Sequence, residues 1–104
     1  MSSSAIAIRE LVGERDGGER FDVSIRIGHP YRVNDVSWAC PAAVDGVDRQ
    51  LADMHGIDSW QVLLLAIGLV RSRLEHFLET GGKLYWRDDP SIEITLRDIF
   101  GTDS

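Results

Sequence analysis

The chain has 104 residues, enough for one domain with one modest core and too few for two. Its 43% hydrophobic and 27% charged content is that of a globular protein and excludes a disordered tail or linker. A net charge of −6, with 17 acids set against 11 dispersed bases, argues against a phosphate-binding surface, so no nucleic-acid partner is expected.

Cys40 is the sole cysteine, so neither an intrachain disulfide nor a thiolate metal cluster can form, and a reducing cytoplasm is expected. Met1 to Ala5 carries no basic segment followed by a long apolar one, so it does not read as a signal peptide. The apolar run from Trp60 to Val70 is about half of the ~20 residues a membrane span requires, so no membrane partner is expected either.

From Ala5 the chain alternates with period two, Ile6 and Ile8 on one side and Ala7 and Arg9 on the other, and this strand continues to Arg15. Asp16-Gly17-Gly18-Glu19 supplies a tight turn. Phe21, Val23, Ile25 and Ile27 then alternate in a second strand, which completes a hairpin. Gly28-His29-Pro30-Tyr31 breaks it, because proline cannot donate to a ladder. After a turn at Asn34-Asp35, Val36, Trp38 and Cys40 face one way along a third strand that Pro41 ends. Val44-Asp45-Gly46-Val47-Asp48 reads as a turn. Residues 49–55 fit a short helix ended by Gly56, through Val47, Leu51 and Met54, or a fourth strand hairpinned to the third across Asp45-Gly46. The strand is preferred because it gives the third strand a neighbour.

One long helix follows and organises the chain. Asp58 or Ser59 is its N-cap and Gly81-Gly82 its stop. Trp60, Leu63, Leu64, Ile67, Val70 or Arg71, Leu74, Phe77 and Leu78 form a stripe at 3–4 spacing, which is expected to face the core. Val62, Leu65, Ala66 and Leu69 make the first half apolar on the opposite side too. A single sheet covers only one face, so the other must meet the C-terminal tail, another segment or a second copy of the chain, and these four residues are the expected interface with a partner. Leu84-Tyr85-Trp86 is a short strand and Arg87-Asp88-Asp89-Pro90 a turn. Ile92, Ile94 and Leu96 read as another strand, with a last helical turn over 96–100 as the alternative. The fold class expected is α+β: an antiparallel β-meander of about four strands packed on one long helix, with a short C-terminal strand or hairpin.

No nucleophile elbow, phosphate loop, dinucleotide fingerprint or zinc-protease motif is present. His29, His55 and His76 form no HxH or HxxxH pair, so neither a metal nor another cofactor is expected. A pocket built from Trp38, Cys40, His55 and Trp86 is the one place where a ligand or a thiol nucleophile could be sought. Cys40, sharing a strand face with Val36 and Trp38, fits a structural cysteine better than a reactive one. The aromatic residues fit a core better than a pocket.

Trp38-Ala39-Cys40, then Gly56-Ile57-Asp58-Ser59-Trp60-Gln61-Val62-Leu63-Leu64-Leu65-Ala66, then Gly81-Gly82-Lys83-Leu84-Tyr85-Trp86 resembles a family of small bacterial domains of unknown function. The resemblance spans roughly residues 20–86. It implies a meander followed by a long helix, favours a strand over 49–55, and assigns no catalytic residue. Small α+β chains of this kind also occur among immunity proteins of bacterial toxin systems, an analogy of fold and composition. The expected function is a non-enzymatic protein-interaction domain, a homodimer or a binder of a protein such as a toxin. The alternative is a ligand binder or enzyme using the pocket near Trp38, Cys40 and His55.

Overall fold

Period-two alternation in the first 28 residues builds the hairpin that the other strands join. In the computed structural model, which describes residues 5–48 and 52–101, β1 (Ala5–Glu14) and β2 (Arg20–Gly28) pair antiparallel from Glu14 opposite Arg20 to Ala5 opposite Gly28. The Asp-Gly-Gly-Glu turn closes as its glycines suggest: Gly18 takes φ +93°, and its N–H donates to the Arg15 carbonyl at 2.8 Å.

The two prolines then split what would be one long second hairpin. β3 (Tyr31–Asn34) pairs with β4 (Ser37–Cys40) across the Asn34-Asp35 turn. β2, before the Pro30 bend, pairs with β5 (Ala42–Asp45), after the Pro41 bend. Proline offers no N–H to a ladder, so the strands change sheet at these two points. One backbone bond spans the bend, from the Gly28 N–H to the Pro41 carbonyl at 2.9 Å. A side chain on Gly28 would place its first carbon 2.9 Å from the Pro41 ring, so the crossing is as tight as a glycine permits.

The result corrects the four-stranded meander. Eight strands among the described residues form two antiparallel sheets, one of order β5-β2-β1-β7-β8 and one of order β3-β4-β6. Val44 and Asp45, expected in a turn, belong to β5, and the turn itself is confined to the residues around Gly46, at φ +97°. β6 (Met54–Gly56) pairs with β4, so the strand preference is correct at Met54 and His55 and not at Ala52 and Asp53, which lie in no strand, while residues 49–51 lie outside the described residues. The connection is not a tight hairpin across Asp45-Gly46, since β5 intervenes and pairs with β2 in the other sheet. Gly56 continues β6 instead of ending a helix.

α1 (Ser59–Glu79) begins and ends where its caps predict. The Asp58 carboxylate accepts from the Gln61 N–H at 2.7 Å, and the Gln61 side chain accepts from the Ile57 N–H at 2.8 Å. At the other end Gly81 takes φ +97°, and the Gly82 N–H returns to the Phe77 carbonyl. The buried face, however, is Val62, Ala66, Val70, Leu74 and Phe77. That is the expected stripe turned by roughly a quarter of the helix circumference. Trp60 is 70% exposed and Leu64 51%.

The reason is that α1 packs against both sheets, touching β4 and β6 of one and β2, β5 and β7 of the other. Valine and alanine at 62, 66 and 70 let the helix backbone come close to the strands, where Trp60 and Leu64 would hold it off. The core they complete includes Leu11, Val23, Val44 and Leu84, all essentially inaccessible.

β7 (Lys83–Trp86) lies beside residues 11–14 of β1, and β8 (Glu93–Ile94) beside β7. The helical alternative is realised over α2 (Leu96–Phe100), where Thr95 and Asp98 form a reciprocal capping box and Gly101 ends the turn at φ +77°. Among the described residues no helix is long and apolar enough to cross a membrane.

Candidate functional site

The four pocket candidates do not assemble. Trp38 and Cys40 lie two residues apart on β4 and so share one face, opposite Gly56 and Met54 of β6. His55 is opposite Ala39, on the other face, and is exposed. Trp86 belongs to the larger sheet, beside Leu11, with the Arg9 guanidinium over its ring at 4.9 Å. Trp38 and Trp86 both pack against the core, as the aromatic composition suggested, whereas Trp60 does not.

Cys40 has no accessible surface, and its Sγ lies 3.5 Å from the Gly28 carbonyl oxygen, at the bend between the sheets. Burial pushes its thiol pKa up, and the negative charge of Asp53 adds to the effect. A protonated, covered thiol is a poor nucleophile. In native protein Cys40 should therefore resist an aromatic disulfide reagent and react fully once the chain is unfolded in denaturant; rapid stoichiometric labelling of native protein would contradict this placement. Because the folded-state pKa is raised, the thiol's contribution to stability is complete below the ordinary thiol pKa and is lost as pH rises through the folded value.

Near Cys40, the Tyr31 hydroxyl donates to the Asp53 carboxylate, which ties β3 to the segment leading into β6. That hydrogen bond is the main cause that raises the Tyr31 pKa. Among the described residues no three His, Cys, Asp or Glu side chains converge as metal ligands. His29, between β2 and β3, His55 on β6 and His76 on α1 all lie exposed and apart in the chain.

The expected interface is also rearranged. Val62 and Ala66 have no accessible surface and cannot touch a partner, Leu69 is half-buried, and only Leu65 stays open, at 37%. Exposed apolar side chains lie instead on the other shoulder of α1, at Trp60, Leu64 and Ile67, on β1 at Ile6 and Ile8, and on the β3–β4 hairpin at Tyr31, Val33 and Val36. Of these, Ile6, Ile8 and Ile67 meet in a groove of about 500 Å³ whose walls also include Leu63, Ile99 and Phe100. Sequence reasoning treated Ile6 and Ile8 as ordinary strand residues. The available signal was phase: the buried Leu11 has odd parity along β1, while Ile6 and Ile8 have even parity.

The charge does not concentrate. On the outer face of the larger sheet Arg20 pairs with Glu14 at 2.9 Å, Arg26 with Asp45, and Arg87 with Asp22 at 3.4 Å. These features define a small antiparallel α+β domain with one long helix and an apolar groove between that helix and the end of its larger sheet. The chain belongs to the family described as Domain of unknown function (DUF6968), whose model matches residues 7–95. No curated protein and no solved structure matches it significantly.

Proposed function

We propose that the protein is a non-enzymatic protein-interaction domain that works as a homodimer. The observation that carries this reading is the apolar groove together with the stripe Trp60, Leu64 and Ile67 beside it. A groove walled by apolar side chains, with further exposed apolar residues on the adjoining helix, marks a contact site on a small domain more often than an idle surface. The pocket alternative loses its support, since Cys40 is covered and His55 lies on the opposite face of its sheet.

An immunity-type role against a basic toxin draws on the analogy of fold and composition and on the net charge of −6. Electrostatic capture of such a partner works best from a concentrated acidic face, and here Glu14, Asp22 and Asp45 are each matched by an arginine. The homodimer is therefore the favoured assembly. Light scattering on the full chain over a wide concentration range tests it. The mass should approach that of two 11.6 kDa chains at high concentration and fall toward one on dilution. A monomer mass throughout would overturn the reading.

A further inference from the structure

Residues 5–10 of β1 have a strand neighbour on one side only. β2 pairs along the whole length of β1, but β7 reaches only residues 11–14, ending where Trp86 meets Leu11. Among the described residues no other strand approaches the remaining edge. Ile6, Ala7, Ile8, Arg9 and Glu10 are all exposed, an uncommon run for a strand in the middle of a five-stranded sheet. Open space lies on both sides of this half-strand. One side is the apolar groove, and the other is a polar concavity of about 410 Å³ bounded by Ile8, Glu10, Trp86 and Arg87.

A free edge presents alternating unpaired N–H and C=O groups and is a template for a further strand. Proteins that keep such an edge unpaired blunt it with proline, lysine or a bulge; residues 5–10 contain no proline or lysine, and the one irregularity in the pairing with β2 lies between Ala5 and Ala7, which leaves Ala7 to Glu10 a regular edge. We infer that this edge is the dimer contact: residues 6–10 of one chain pair antiparallel with residues 6–10 of a second copy, across a two-fold axis at Ile8, and fuse the two larger sheets into one. This rests on the homodimer reading above and adds to it the surface and the geometry.

Two considerations favour a second copy over an unrelated strand. The first is charge. A chain of net charge −6 meets its copy with least repulsion where the local charge cancels, and residues 5–10 carry one arginine and one glutamate. Antiparallel pairing sends Glu10 of each chain to the end of the contact away from its twin, whereas parallel pairing would set the two side by side. The second is closure. A strand pairing antiparallel with its own copy is self-complementary and stops at two chains. Ile6 and Ile8 of both copies then lie next to one another along the new ladder, which removes from water apolar surface that the monomer leaves open.

The test compares Ile8→Lys, at the edge, with Trp60→Ser, on the helix shoulder, by light scattering at a concentration where the wild type is dimeric. Ile8 is 60% exposed, so the lysine should leave the circular dichroism spectrum and the monomer's thermal midpoint unchanged. The dimer Kd is expected to rise at least tenfold in Ile8→Lys. In the wild-type dimer, backbone amides within residues 6–10 that face the open edge should also exchange hydrogen at least tenfold more slowly than in the diluted monomer. If Ile8→Lys dimerises like wild type and Trp60→Ser does not, the edge pairing is wrong and the homodimer reading stands. If the wild type never dimerises, both are wrong, and an added strand from another protein would be the remaining use of the edge.

Discussion

Ala66→Glu should abolish the cooperative unfolding transition, while Leu64→Glu, two residues earlier on the same helix, should shift stability by no more than about 1 kcal/mol. Ala66 has no accessible surface and sits where α1 meets both sheets. A carboxylate there would be buried beside Val62 and Val70, and among the described residues no charged side chain is buried to meet it. Burial of an unpaired charge costs several kcal/mol, and the longer side chain adds overpacking of a site fitted to one methyl group. The total is comparable to the ~5–15 kcal/mol that holds a domain of this size together. Leu64 is 51% exposed, so glutamate at that position keeps its charge in water and loses only part of a leucine's burial. Thermal melts of the two variants in dilute solution, followed by circular dichroism, check the pair. The stripe read from spacing alone predicts the opposite ranking, so the comparison also decides which face of the helix is the core face.

A second large effect is expected at Gly46. Its φ of +97° is a conformation that side chains other than glycine rarely adopt, and an added Cβ would stand 2.3 Å from the Asp22 carbonyl oxygen. Strain and collision act together, because the oxygen belongs to the backbone of β2 and cannot swing aside. Gly46→Ala should cost about 3 kcal/mol, which for a domain of this size lowers the thermal midpoint by roughly 10–20 °C. Gly18 provides the control. It has nearly the same φ, +93°, with nothing within 4 Å of the Cβ position, so Gly18→Ala should show the strain alone, about 1 kcal/mol. Equal losses at the two glycines, by calorimetry, would contradict the close approach at the β5 turn.

Where side chains act on their own backbone, the fold was legible in the sequence. The Gly17-Gly18 turn, the Asp58 cap and the Gly81 stop each stand where local chemistry puts them. What could not be read depends on contacts distant in sequence. Pro30 and Pro41 announce breaks, but that the two breaks coincide and send the chain into a second sheet follows only from the pairing of β2 with β5 and of β3 with β4. On α1 the apolar residues cover both shoulders, so period alone could not choose between the Trp60-Leu64 side and the Val62-Ala66 side. The choice fell to side-chain size at a close helix–sheet contact. Uncovered apolar surface was expected on the Val62-Ala66 side, and the structure leaves it on the Trp60-Leu64 side. At the pocket, nearness of Cys40 and His55 along paired strands meant little, because one register step separates the two faces of a sheet.

The central claim, that the uncovered surface joins two copies through the free half of β1, is tested most directly by isotope-filtered NMR. The sample mixes labelled and unlabelled chains at a concentration where light scattering gives the mass of two. The account predicts interchain contacts between Ile6 or Ile8 of one copy and residues 5–10 of the other. Interchain contacts confined to α1, with none to β1, would contradict it.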